Sequence, residues 1–389
     1  MIQKDKLRQA AAFMEGTDID LWITLMRETS MTRDPVLPLI GDIYYCRQSA
    51  IVVERGGKST AIVSFLEGSA AKALDCFDEL VIYDAETAFE GAFADYLGRG
   101  SRKKIALNYS MEDPAADGIS YGQYLYFMDL LKSLDYQGEV VSSSPILDQL
   151  RSVKCEEEVD KIRGAIRITQ QIFDDAAHFI HAGTTEREIF NFFQQKAKEY
   201  GTHPSWELDQ CPGVKVSLDS PSGHCGPTDL PAKPGCLVNV DFGVVYQGYC
   251  SDMQRMYYVL RENETDAPEE VKAAFYAVRD AIAVCKDYMV EGVTGFDTDA
   301  LSRKYLSERR YKDYPHGLGH QVGIYVHDGG VSLSRRAGGH GPLRVGNVFA
   351  VEPATYIDAG YLCVEEMVHI TPEGPVFLTE PQQELYLVR

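Results

Sequence analysis

The sequence predicts a mixed α/β (α+β) protein of two domains, and three observations carry that prediction. The chain has 389 residues, enough for two substantial cores, and its 45% apolar and 25% charged content is ordinary for a globular protein. Residues 1–148 alternate helical and strand-like segments, the pattern of a small α/β domain. Residues 149–389 read helix–helix–strands–helix–helix–strands. No tandem repeat of 20–50 residues and no low-complexity stretch interrupts this order.

In the first part, residues 7–14 read as a helix. Residues 50–54 and 60–65 read as paired strands around Gly56-Gly57, and further short strands are expected at 79–83 and 104–109. This part holds no acidic cluster or histidine pair with the character of a metal site, so it is read as a scaffold or oligomerisation domain. The boundary is placed near Ser142-Ser-Ser-Pro145, a turn-rich stretch.

A long amphipathic helix follows, with Val159, Ile162, Ile166, Ile172, Phe173, Ala176 and Phe179 close to helical spacing, and Gly183 as its stop. Thr185 and Glu188 form a capping box for a helix over 186–200. A third helix should start near Pro268 and run through Val271, Phe275, Val278, Ile282 and Met289 to Gly292. Between them, 237–242 alternates as a strand, Gln247-Gly248 supplies a turn, and 251–259 returns beside it.

Composition excludes several functions. The formal net charge of −20 argues against nucleic acid or an anionic membrane as partner. Two divalent ions would add +4 and leave −16, so a solvated acidic surface accounts for most of the charge. The nine cysteines are an odd number with no C-x-x-C pair, which points to reduced thiols in a cytoplasmic protein. The first residues lack the apolar core of a signal peptide, and no stretch approaches the ~20 apolar residues of a membrane span.

Five potential metal ligands stand in the last 150 residues. They are Asp241 in Val-Asp-Phe-Gly, Asp252 in Ser-Asp-Met-Gln-Arg, His320 in His-Gly-Leu-Gly-His, Glu352 in Val-Glu-Pro, and Glu365 in Val-Glu-Glu-Met. Four carboxylates and one imidazole cannot share a dry pocket unless cations neutralise them. An oxygen-rich set with one nitrogen suits Mn²⁺, Co²⁺ or Zn²⁺, and bridging carboxylates can hold two ions about 3.5–4 Å apart. The strand hairpin can bring Asp241 and Asp252 onto one face. Aspartate is otherwise depleted from strands. Alternation of faces allows only one of Glu365 and Glu366 to point into the site.

The ordered spacing of these residues, 11, 68, 32 and 13 apart, resembles the pita-bread metallopeptidases over residues 149–389. That family includes Xaa-Pro aminopeptidase (aminopeptidase P), Xaa-Pro dipeptidase (prolidase), creatinase and, more distantly, methionine aminopeptidase. The resemblance implies a small creatinase-like N-terminal α/β domain and a curved antiparallel sheet backed by two helix pairs. It also implies a homodimer with two divalent ions per chain. It selects Glu365 over Glu366 as ligand and makes His320 the metal-binding histidine. It places His327 beside the substrate carbonyl, His316 in the pocket lining, and His224 among the active-site residues.

The activity implied is hydrolysis of the bond preceding proline in a small peptide, by a hydroxide bridging the two ions. Glu352 would combine ligation with proton transfer. The alternatives are a creatinase-like C–N hydrolase and a non-catalytic binding protein on the same fold. Two departures from the family pattern leave the substrate open. Cys363 stands where many relatives carry an arginine two residues before the second glutamate ligand. Gly329-Gly-Val-Ser stands where prolidases can place another arginine. Arg335 and Arg336 lie later in that loop; they could grip a carboxylate or simply be solvated.

Overall fold

The computed structural model describes residues 2–221 and 225–389. The chain divides into two compact units, 1–151 and 152–389. The turn-rich stretch at 142–145 lies inside the first unit. It runs from strand to helix, because Ser142 closes a strand and Ser144 opens a helix that carries the chain to residue 152.

The first unit is built on α1 (Ile2–Met14), β1 (Leu21–Met26), α2 (Leu37–Ile40), β2 (Ser49–Glu54), β3 (Ser59–Ser64), α3 (Gly68–Leu74) and β4 (Glu79–Tyr83). It continues with α4 (Ala88–Leu97), β5 (Ile105–Leu107), α5 (Tyr121–Ser133), β6 (Val140–Ser142) and α6 (Ser144–Ser152). Its sheet runs β4-β3-β2-β1-β5-β6. The β1–β2–β3 ladder is antiparallel, and the outer pairings are parallel. The central strand β1, Leu-Trp-Ile-Thr-Leu-Met, escapes pattern reading because it is buried along its whole length. A strand covered on both faces shows no alternation.

The second unit opens with α7 (Glu156–Ala176), which carries three glutamates in its first turn, where the helix dipole favours negative charge. Its apolar residues from Val159 to Ala176 are buried as expected, but the helix ends at Ala176, well before Gly183, so half-buried Phe179 lies beyond it. After a short turn, α8 (Glu186–Glu199) begins with the predicted capping box. Thr185 Oγ1 accepts from the Glu188 amide at 3.2 Å, and Glu188 Oε2 accepts from the Thr185 amide at 2.8 Å. Then follow β7 (Gly213–Lys215), β8 (Leu237–Phe242), β9 (Val245–Tyr246), β10 (Tyr249–Cys250) and β11 (Met253–Val259). The tight turn between β9 and β10 uses left-handed backbone at Gln247 and Gly248.

A second helix pair and strand set repeats this order. It comprises α9 (Glu269–Tyr288), α10 (Gly295–Glu308), β12 (Gly319–Gln321), β13 (Val348–Val351), β14 (Ala354–Ile357), β15 (Gly360–Cys363), β16 (Glu366–Thr371), β17 (Gly374–Phe377) and β18 (Tyr386–Val388). Two four-stranded sheets result, β18-β11-β8-β7 and β12-β13-β16-β17. They are joined by a bridge between Gln254 and Glu365. All ladders are antiparallel except β11–β18.

Strand alternation decides what each sheet face carries. Phe242 turns toward the helices and packs edge-on against Phe173 of α7 and Phe193 of α8, with ring centroids 6.3 and 4.9 Å away. Its neighbour Asp241 therefore turns to the opposite face. In the other half, Phe275, Val278 and Ile282 of α9 join one core with Met256, Leu362, Val364 and Val368. A Phe242→Ala variant should lose about 3–5 kcal/mol of stability, as for other buried phenylalanines. Urea denaturation should show a lower midpoint with an unchanged slope. An unchanged midpoint would show that the aromatic cluster does not hold β8 in place.

Candidate metal centre

Ladder register brings the sequence-predicted carboxylates together. Asp241 pairs with Gln254 across β8 and β11, and Gln254 bridges to Glu365, so these three residues share one face. Asp252 lies two residues before Gln254 and takes the same side. In the other sheet His320 pairs with Ala350. Glu352 is two residues beyond Ala350, on the face that His320 shares.

Close backbone approach makes this possible. A Cβ at Gly243, just after Asp241-Phe242, would stand 1.8 Å from the Ser251 carbonyl oxygen. One at Gly319, just before His320, would stand 1.9 Å from the Ala350 carbonyl oxygen. Both glycines of these motifs are thus steric requirements of the strand pairs. From α10, Asp299 accepts from the Leu318 amide at 2.9 Å, while Arg303 donates to the His316 carbonyl at 2.6 Å. Asp299 and Arg303 are themselves paired at 2.7 Å, so one helix face clamps the loop that leads into His320.

One donor atom each from Asp252, His320 and Glu365 lies within 4.8 Å of the others. His320 Nε2 is 3.4 Å from Asp252 Oδ2 and 4.0 Å from Glu352 Oε1. His320 Nδ1 is 3.3 Å from the Gln321 carbonyl, which can only accept; with the proton on Nδ1, Nε2 presents its lone pair to the cluster. Burial first, then the neighbouring His327, pushes the His320 pKa down to about 3, so the imidazole is neutral and ready to ligate.

The carboxylates are displaced in the opposite direction. Burial pushes Asp241 up to about 7. Asp252, Glu352 and Glu365 are pushed well above the usual carboxylate range by burial first, then by neighbouring carboxylates: Asp241 beside Glu352, Asp241 and Glu352 beside Asp252, and Asp252, Glu352 and Asp241 beside Glu365. Among the described residues, Asp241 Oδ1, Asp252 Oδ1 and Glu365 Oε2 are buried with no hydrogen-bond partner. Buried, unpartnered carboxylate oxygens beside a neutral imidazole lone pair fit divalent cations and no other common ligand class.

The adjacent glutamates are separated by what they face. Glu366 turns to the opposite side and pairs with Arg255 at 3.0 Å, both side chains almost fully buried. Arg255 also donates to the carbonyls of Gln254, Glu365 and Glu380, and the Gln382 amide donates to Glu366 at 2.8 Å. Strand alternation leaves the choice of glutamate open and the family resemblance selects Glu365; the structure puts the two side chains on opposite faces. Glu365 joins Asp252 and His320, while Glu366 fixes the backbone that carries it.

Sequence reasoning passed over two polar residues. Gln254 donates to Glu352 Oε2 at 3.2 Å, and Asn239 orients Gln254 by donating to its Oε1 at 3.2 Å. Gln254 was findable, since it lies two residues from Asp252 on the same strand face. Of the other histidines, His316 lies with Nδ1 3.9 Å from Glu352 Oε2. His327 is exposed and meets His320 edge-on at 4.2 Å between ring centroids. His224 lies outside the described residues. Arg335 is an exposed surface residue paired with Asp313 at 3.1 Å, and Arg336 is exposed.

Comparisons with known proteins bear on the family and the fold. Residues 160–372 match the metallopeptidase family M24. An uncharacterized peptidase of Staphylococcus aureus (strain bovine RF122 / ET3-1) is 32% identical over 337 residues, covering 86% of this chain and 88% of that protein. Uncharacterized peptidase YqhT of Bacillus subtilis (strain 168) is 28% identical over 276 residues, 70% of this chain and 73% of its own. Among solved structures, an Xaa-Pro dipeptidase from Bacillus anthracis superposes with a TM-score of 0.75 at 21% identity, covering 99% of both chains. An X-Pro aminopeptidase from Thermotoga maritima MSB8 gives 0.71 at 23% identity, covering 100% of both. The fold is the pita-bread fold with its N-terminal companion.

Two predictions follow from the cluster. Asp252→Ala and Glu365→Gln should each reduce the metal content of the purified protein while leaving it folded. Glu366→Gln should instead lower the melting temperature by disturbing Arg255, with a smaller loss of metal affinity of about 10–100-fold. If Glu366→Gln alone empties the site, the face assignment is wrong.

The second concerns pH. The metal-free folded state keeps protons on these carboxylates to higher pH than the unfolded chain does, up to about 7 at Asp241. Its stability should therefore fall as pH rises from about 4 toward 7. Added Mn²⁺ must displace those protons, so its gain in melting temperature should be larger at pH 7.5 than at pH 5.5, with proton release on binding. A pH-independent gain would contradict the raised carboxylates.

Proposed function

This chain belongs to metallopeptidase family M24, and on that footing we propose that it binds two divalent ions and hydrolyses the peptide bond preceding proline in small peptides. The observation that carries this reading is the gathering of Asp241, Asp252, His320, Glu352 and Glu365 on one face, with three carboxylate oxygens left unpartnered. Ions held by these five residues would acidify a water near neutral pH and polarise the scissile carbonyl.

The chain's own groups then divide the remaining work. Glu352 is held by Gln254 through one oxygen, and burial makes it a willing proton carrier. It can take the proton of an attacking water and pass it to the departing prolyl nitrogen, which must leave as a secondary amine. His327, exposed beside His320, would donate to the oxyanion that forms at the carbonyl. With Nδ1–H donating a hydrogen bond to the Gly317 carbonyl at 2.8 Å, His316 accepts from Tyr361 Oη at 3.5 Å. With both nitrogens engaged it offers substrate a ring face, a suitable wall for a proline ring.

Hydrolysis of Ala-Pro and Ala-Pro-Ala by protein reconstituted with Mn²⁺, Co²⁺ or Zn²⁺, with metal analysis on the same preparations, tests this reading. Cleavage before proline with two ions per chain is the expected result. Fewer than one ion per chain after reconstitution would favour a metal-free hydrolase or a binding protein. His327→Ala should keep both ions and its melting temperature but lose about 10²–10³-fold in kcat, as for removal of one oxyanion donor. Wild-type kcat in that variant would end the catalytic role of His327.

A further inference from the structure

Strand β7 is the edge of the sheet that carries Asp241. Its register pairs Gly213 with Asp241 and Lys215 with Asn239. Residues two apart on a strand share a face, so Lys215 lies on the same face as Asp241. Its ammonium rests 4.2 Å from the centroid of the Tyr361 ring. Tyr361 Oη in turn meets His316 Nε2 at 3.5 Å, and His316 Nδ1 is 3.9 Å from Glu352 Oε2. Lys215 is therefore linked to the metal cluster through two intervening rings.

The cations around the site differ in one respect. Arg255 is paired with Glu366, Arg303 with Asp299, and Arg335 with Asp313. Among the described residues, Lys215 makes no ion pair, and it is half-buried. Its charge nevertheless reaches both Asp241 and His316, favouring the ionised aspartate and disfavouring a protonated histidine. Four carboxylates and two divalent ions sum to zero, −4 and +4, so the loaded ligand set itself leaves no net negative charge to face the lysine, and only a metal-bound hydroxide would restore one. A half-buried cation without a counter-ion, beside a site that takes peptides, calls for an anion delivered by the substrate.

We propose that Lys215, steadied on the Tyr361 ring, binds the free α-carboxylate of the substrate and biases this site toward dipeptides. This rests on the two-metal peptidase reading above. A dipeptide carries its carboxylate on the residue just after the scissile bond, whereas longer peptides carry an amide there. The lysine thus reads substrate length by charge, and a neutral carbonyl at the same place gains much less from it.

The test compares Ala-Pro with Ala-Pro amide on metal-loaded wild type, Lys215→Met and Lys215→Arg. Lys215→Met should raise KM for Ala-Pro about 10–100-fold, the range of a lost charge-assisted hydrogen bond, with kcat and the amide's KM little changed. Lys215→Arg should recover most of the loss. An equal effect on both peptides, or none on either, would overturn the assignment. A parallel titration by calorimetry uses Ala-Pro with its scissile amide reduced to CH₂–N, and the C-terminal amide of that analogue. Wild type should bind the acid more tightly, and Lys215→Met should abolish that preference. If this holds while neither natural peptide is hydrolysed, the carboxylate site stands and the peptidase reading falls. Equal binding of acid and amide by wild type would remove the Lys215 role even in an active peptidase.

Discussion

Four carboxylic acids buried on one sheet face, with a neutral imidazole as their immediate neighbour, set the terms for the second unit. Burial drives Asp241, Asp252, Glu352 and Glu365 toward their protonated forms, and neighbouring carboxylates add to it at Asp252, Glu352 and Glu365. Several of their oxygens then have nothing to bind. Such an arrangement costs folding free energy and makes sense only if a ligand repays it. The surrounding polar groups do not neutralise the cluster. Gln254 is an uncharged donor, and Arg255 is spent on Glu366 on the far side of the strand.

That separation of charge by strand face is the device on which the site depends. Arg255 and Gln254 are sequence neighbours, as are Glu366 and Glu365, yet each pair sends its members to opposite faces. One face becomes an acidic cluster suited to cations. The other becomes a closed ion pair whose guanidinium donates to three backbone carbonyls. A buried pair of this kind contributes little net stability, but removing one partner is costly, about 3–5 kcal/mol. Its main consequence is geometric, since it fixes the register between β11 and β16 and hence the bridge from Gln254 to Glu365.

The helices act on the site through the same alternation. Phe242 is drawn to Phe173 and Phe193, and Asp241 is thereby turned the other way. The Asp299–Arg303 pair on α10 holds Leu318 and His316 by their backbones and so sets the approach to His320. These are rigid supports built from ordinary packing and capping. They give ligand positions a precision that loops alone would lack.

By itself the sequence determined the kind of chemistry and much of the scaffold. The ordered Asp, Asp, His, Glu, Glu set pointed to a metal cluster, and helical periodicity and a capping box located α7, α8 and α9, because those signals are local. The central strand β1 and the early end of α7 were not legible, since full burial erases alternation and helix ends depend on what the next turn packs against. Strand alternation showed that one of Glu365 and Glu366 must face away, but not which one. The family resemblance selected Glu365, and the tertiary structure supplies the physical reason for the split by bringing Arg255 to Glu366 across 111 residues of sequence. It alone also brought Gln254 to Glu352 and set Lys215 against Tyr361 beside the cluster. Those choices are made by contacts between distant strands, and no spacing within a single segment encodes which strands will meet.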